Sequence, residues 1–205
     1  MKIVVTAMDE QWNELTGNRP EIEWQRVNDC NDFTTNNDAD AFFNLKDHLI
    51  LPEFVSLGKP VFINAVIQTL ADLKAPDNIL RINGWAGFLQ RPAWEIAGAV
   101  NENIKFLFEN LGIKINAVKD EPGFIAARII AMIINEAYFT VSDQVSSKTE
   151  IDTAMKLGTN YPYGPFEWAD LIGKKKILAL LQKLSLTDKR YQPAELLIQE
   201  VKENN

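Results

Sequence analysis

From Phe124 to Phe139 the sequence FIAARIIAMIINEAYF offers only Arg128, Asn135 and Glu136 as polar side chains. At 100° per residue those three fall within one sector of about 100°, which leaves roughly 260° of a helix apolar. Such a helix has to be covered from several sides, by its own domain or by a second chain. Arg128 and Asn135 argue against a membrane span. The core or pairing positions are Phe124, Ile129, Ile130, Ile133 and Ile134.

The chain on either side of this helix differs in kind. Before it, Lys2–Ala7, Glu21–Val27, Ala41–Leu45, Val61–Ile67, Ile79–Ile82 and Ile113–Val118 have strand length and strand residues. Asp9–Thr16 reads as a short helix and Asn28–Asp40, rich in Asn, Asp and Thr, as a loop. Trp94–Leu111 fits a helix through the spacing of Ile96, Val100, Ile104, Leu107 and Leu111, with Gly112 as its stop. Strands alternating with helical pieces predict a parallel α/β sheet. After it the chain is helical. Ser147 and Glu150 form a capping box for a helix ending at Gly158, and Pro165 opens a short helix ending at Gly173. Lys174–Leu184 and Pro193–Glu203 supply two more. The expected domains are 1–120, α/β, and 121–205, all-helical.

A net charge of −7 and a pI near 4.9 argue against binding to nucleic acid or anionic membranes, both of which need basic patches. Cys30 is the single cysteine, so neither an internal disulfide nor a cysteine metal cluster is expected. The apolar start KIVVTA meets Asp9 and Glu10 at once, unlike a signal peptide, and a cytoplasmic protein is the expectation.

EPGFIAARIIAMIINEAYF (121–139) and EIDTAMKLGTNYPYGPFEWADLIG (150–173) together resemble the C-terminal domain of the 3-hydroxyacyl-CoA dehydrogenases. Pro122, Gly123, Phe124, Arg128, Asn135, Glu136, Ala137, Asp152, Gly158, Pro162, Gly164, Pro165, Asp170 and Gly173 all fall in register with that family's pattern. The resemblance implies a Rossmann-like domain, here reduced, followed by a helical domain through which the family dimerises. It makes the Pro/Gly loop 158–173 scaffold rather than acid–base machinery.

In the resembled family a His after a strand is the general base, and a Glu twelve positions on orients it. GWAGFLQRPAWEIAGAV (84–100) aligns through Gly84, Phe88, Pro92 and Val100, which puts Ala86 at the His position and Gly98 at the Glu position. The family's substrate-contacting Ser falls near Ala65, and its Asn before Arg is Ala127. None of these side chains transfers a proton, so no catalytic residue is assigned. A dinucleotide fold also needs a Gly-rich turn after the first strand. TAMDEQWNEL (6–15) has no glycine and places Asp9 and Glu10 where a diphosphate would lie. Asp29 as a ribose-binding acid is weaker than Asp29 as a loop residue. No cofactor-binding or metal residue is assigned, and NAD enters only if catalysis has been rebuilt elsewhere.

Among the remaining polar residues, His48 reads as a solvated loop residue rather than a displaced base, and Glu95 as an acid at a helix start. Arg128 and Glu136 are expected in buried ion pairs, with Glu167 or Asp170 as partners, and Lys174–Lys176 as a solvated helix start. Arg128, Asn160, Tyr161, Tyr163 and Phe166 are the candidate lining of an acyl groove, against a core role for the aromatics. Two functions stand side by side. One is a non-catalytic, homodimeric relative that binds an acyl-CoA-like ligand or a partner protein. The other is an NAD-dependent oxidoreductase of fatty acid metabolism acting on 3-hydroxyacyl-CoA through relocated groups.

Overall fold

The computed structural model describes residues 1–17, 19, 21–46, 54 and 57–203; His48 lies outside them. They form two compact units, Met1–Phe124 and Ile125–Asn205, so the division falls just beyond the expected 120/121.

In the first unit, β1 (Lys2–Thr6), β2 (Glu23–Arg26), β3 (Ala41–Asn44), β4 (Val61–Asn64), β5 (Ile79–Ile82), β6 (Ala93–Ala97) and β7 (Lys114–Ala117) form a sheet in the order β2-β1-β3-β4-β5-β6-β7. Pairing is parallel from β2 to β5, antiparallel between β5 and β6, and parallel again between β6 and β7. The chain leaves β1 first toward β2 and then, across β1, toward β3. That reversal is the topological switch point of an open α/β sheet.

Alternation along the strands builds a core on each face. Ile3, Val5, Phe43 and Phe62 point to the side covered by α1 (Asp9–Thr16) and α3 (Glu102–Asn110). Phe62 stacks on Phe43 at 4.8 Å and meets Phe108 edge-on at 5.1 Å. Val4, Phe42, Val61 and Ile63 point to the other side, covered by Phe33 of a 3₁₀ turn and by the short α2 (Leu70–Leu73).

The expected helix Trp94–Leu111 is in fact strand β6 followed by α3. Trp94 and Ile96 alternate inward as strand residues, Gly98 takes φ +130°, and the Asn101 side chain accepts from Ile104 N to start the helix. Glu95 accordingly lies mid-strand, not at a helix start. The Asn28–Asp40 loop contains the 3₁₀ turn Cys30–Thr35, whose N-cap is Asp29, accepting from Asn31 N at 2.8 Å.

The second unit consists of α4 (Ala126–Ser142), α5 (Lys148–Thr159), α6 (Pro165–Ile172), α7 (Lys174–Ser185) and α8 (Glu195–Glu203). Helix α4 is central, packed by the other four, and buries Ala127, Ile130, Ala131, Ile134 and Tyr138. The Ser147–Glu150 capping box and Pro165 at a first helical position are as expected; α5 runs past the expected stop at Gly158 to Thr159, and Asn160 caps it in the left-handed region. Phe124 is not part of α4. It has φ +50°, closes the first unit, and its ring lies 4.6 Å beneath the Arg81 guanidinium.

Candidate functional site

Ligands of open α/β sheets lie at the C-terminal ends of the strands, at the switch point. Here that edge is tied together by amide side chains. Gln11, buried on α1, accepts from Met8 N after β1 with its Oε1 (3.1 Å). Its Nε2 donates to the carbonyls of Leu45 after β3 (2.7 Å) and Gly84 after β5 (2.9 Å). Asn64, at the end of β4, donates to the same Leu45 carbonyl (3.1 Å) and accepts from Gly84 N (3.0 Å). Gly84 is required: a Cβ there would stand 2.9 Å from the Asn64 side chain. Two amides therefore bridge the ends of four neighbouring strands.

One turn further along α1, Glu14 accepts from Gly87 N (2.6 Å) and Leu89 N (3.2 Å). Burial pushes its carboxyl above the ordinary value, more than those two amides lower it. At the start of α1, Asp9 pairs with Arg26 (2.7 Å), which also donates to the Ala7 carbonyl (2.8 Å) and lies over the Trp12 ring. An arginine thus closes the corner between β1, β2 and α1. A dinucleotide does not fit this edge. The turn lacks the glycine that lets backbone approach a pyrophosphate, and Gln11 already spans the crevice.

The four positions at which the resembled family carries polar site residues are alanine or glycine here. Ala65 is buried after β4, Ala86 is half-buried after β5, and Ala127 is fully buried in α4. Gly98 follows β6; a Cβ there would lie 3.2 Å from Leu80 Cγ and 3.3 Å from the Ile79 carbonyl oxygen, besides the strain of its φ. An acid at 98 would be strained by that φ and would press on Leu80 and Ile79.

Beside this edge Arg81, fully buried on β5, pairs with Asp120 and donates to the carbonyls of Ala65, Val66 and Glu121. Asp120 also accepts from Leu70 N and Ala71 N at the start of α2, and Gly123 N donates to the Val66 carbonyl (2.7 Å). The KDEPGF segment is therefore pinned to the strand ends by one guanidinium. Burial lowers the Arg81 pKa and Asp120 supports its charge.

In the helical unit the motif residues are structural. Asp152 accepts from Phe166 N (2.8 Å), capping α6, and a Cβ on Gly164 would stand 2.3 Å from Asp152 Oδ1. Asn135 donates to the Gln192 carbonyl (2.9 Å) and accepts from Ala194 N (2.8 Å), holding the turn before α8. Glu167 is taken by Lys156 and Asp170 by Lys174 (3.3 Å), whereas Arg128 lies over the Tyr191 ring at 5.9 Å. Glu200 accepts from Tyr138 (3.0 Å), Lys148 and Lys174 (3.0 Å), tying four helices. The five proposed groove residues separate into different surroundings. Tyr161 and Tyr163 meet on Trp168, Phe166 is core against Tyr138, Asn160 is the exposed cap of α5, and Arg128 sits by Tyr191.

Sequence reasoning missed Gln11, Glu14, Asn64 and Arg81. Apart from Met8, three positions before Gln11, their partners lie 15 to 75 positions away, and a further local signal was a charge inside the apolar run ILRI. Among the described residues, no three His, Cys, Asp or Glu side chains form a possible metal site, and no helix is long and apolar enough to cross a membrane.

The fold defines a class: a parallel-dominated α/β sheet unit followed by an all-helical unit. Residues 123–205 match the family described as "3-hydroxyacyl-CoA dehydrogenase, C-terminal domain", so the helical unit belongs to that domain family. It is 42% identical over 96 residues to a 3-hydroxyadipyl-CoA dehydrogenase of Escherichia coli, covering 46% of this chain and 20% of that protein. To a 3-hydroxybutyryl-CoA dehydrogenase of Clostridioides difficile it is 34% identical over 149 residues, 68% of this chain and 53% of the relative. The chain thus spans about half or less of these relatives' length. The crystal structure of (S)-3-hydroxybutyryl-CoA dehydrogenase from Ralstonia eutropha superposes with a TM-score of 0.74 at 18% identity, over 99% of this chain and 94% of that one; it shares the fold.

Proposed function

We propose that this chain is a non-catalytic member of its family, a module that pairs with a second copy through the helical unit and binds an acyl-CoA-like ligand or a partner protein on the inherited scaffold. The observation that carries this reading is the set Ala65, Ala86, Gly98 and Ala127 at the family's polar positions, with Gly98 at a φ that strains any side chain and in tight contact with Leu80 and Ile79. Positioned acid–base groups are worth about 10²–10⁴-fold, and here the base, its orienting acid and the substrate contacts are missing together. Pairing is supported by Ile125 and Ile129, both more than half exposed, with Met132 and Ile133 half-buried further along α4. The competing reading, an NAD-dependent oxidoreductase with relocated groups, draws on the names of the relatives.

A steady-state assay with a short-chain 3-hydroxyacyl-CoA and NAD separates them. No turnover is expected; turnover near one per second would refute the non-catalytic reading. Light scattering tests the pairing, with twice 23.2 kDa expected at micromolar concentration and 23.2 kDa refuting it.

A further inference from the structure

Gln11 and Glu14 stand three positions apart on α1 and grip one segment, the loop after β5, from both of its ends. Gln11 holds the Gly84 carbonyl, and Glu14 gathers the amides of Gly87 and Leu89. Gly87 makes this possible: at φ +83° it turns its amide toward the carboxylate that Leu89 also meets. Further support comes from the same side of the sheet. Arg19, just past α1, reaches the Leu89 carbonyl (3.4 Å), and Arg91 returns to the Gly87 carbonyl (3.3 Å) while stacking 4.1 Å over Phe88.

In a dinucleotide-binding sheet the amides at the start of the first helix stay free for phosphate, and the ligand bridges the strand ends across the switch point. In this chain the bridging is done from within. We propose that α1 is a built-in substitute for the cofactor. Gln11 and Glu14 supply the ties across the strand ends that a bound dinucleotide otherwise makes, so that loop 84–91 is ordered without any ligand. The inference rests on the reading that the chain uses no dinucleotide.

The test is hydrogen–deuterium exchange on the full chain, resolved to single amides, with and without millimolar NADH. In the wild type the Gly87 and Leu89 amides should be protected without ligand and unchanged by NADH. Glu14→Ala removes two hydrogen bonds to a charged acceptor and should lower protection of both amides by about tenfold or more, leaving the amides of α7 unchanged. Glu14→Gln, which keeps one acceptor in the same shape, should give a smaller loss and serves if the alanine variant unfolds. Unchanged protection in these variants, or new protection by NADH in the wild type, overturns the proposal. Turnover with NAD would sink the non-catalytic reading whatever the exchange shows, whereas unchanged exchange in the Glu14 variants sinks the staple whatever the turnover shows.

Discussion

The two units treat their large apolar side chains in opposite ways. Among the described residues of Met1–Phe124, the larger unit, three of them are exposed: Met1, Met8 and Phe106. In Ile125–Asn205 seven are: Ile125, Ile129, Phe139, Val145, Leu157, Tyr161 and Leu186. Helix α5 buries no residue fully, although it is twelve residues long and well capped. The polar side chains show the reverse. In the sheet unit Gln11, Asn64 and Arg81 are buried and spent on strand ends, while the helical unit holds its polar cluster around Glu200 at partly exposed positions. The sheet unit thus ties its strand ends to one another through buried amides. The helical unit leaves apolar surface exposed, which the proposed pairing would cover. A relative that has lost its chemistry but kept its pairing domain would be divided in this way.

The sharpest way to break the comparison is to damage one unit and ask whether the other follows. Gly164→Ala sets a Cβ 2.3–2.5 Å from three atoms of Asp152, one of them backbone. Overpacking of this kind typically costs about 1–3 kcal/mol, and here the α6 cap is displaced as well. Urea unfolding followed by exchange should show the helical unit opening at lower denaturant while the sheet amides keep their midpoint. A midpoint for the helical unit equal to the wild type would show that Asp152 moves aside freely and that the Asp–Gly pairing is not structural.

The next test separates the covered and uncovered sides of α4. Ile130 is 6% exposed and Ile129 is 53% exposed, on neighbouring positions. Ile130→Asp buries an unpaired carboxylate and should unfold the helical unit. Ile129→Asp should leave it folded and shift the mass measured by light scattering from a pair to a single chain. If the Ile129 variant stays paired, the apolar stripe from Ile125 to Ile133 is not the contact.

How much of this was legible in the sequence depends on how far each residue reaches. Asp9–Thr16, the Ser147–Glu150 box and Pro165 at a helix start were readable because their partners lie within four positions. The helical motif was readable because many spaced residues agree, and Asp152 with Gly164 now gives two of them a physical reason. Strand β6 was not, because Ile96, Val100 and Ile104 also satisfy helical spacing; the interruption at Gly98 and the cap at Asn101 were the competing signals. The strand-end network was out of reach. Gln11 is one more polar residue on a short helix until the fold brings Leu45 and Gly84 to it.

The smallest expected effect is a difference in sign between the units on acidification. In the sheet unit, burial raises the Glu14 carboxyl above its ordinary 4.5. A raised carboxyl contributes stability below its unfolded value and loses it as pH rises through the folded one, so Glu14 favours the fold more as pH falls toward 4.5. In the helical unit, burial also pushes Glu200 up, but hydrogen bonds from Lys148, Lys174 and Tyr138 together outweigh it and hold the carboxyl below 4.5. That contribution is present above 4.5 and is lost as pH falls through the lower folded value. Between pH 6 and 3, exchange should therefore show the α4 and α8 amides losing protection below about 4.5, while the Glu14 contribution to the sheet unit does not fall over the same range. Glu200→Gln should flatten the helical response and Glu14→Gln the sheet response, each leaving the other in place. If Glu200→Gln left the acid loss of protection in α4 and α8 unchanged, that loss would have to come from other carboxylates and the three-donor cluster would carry no share of it.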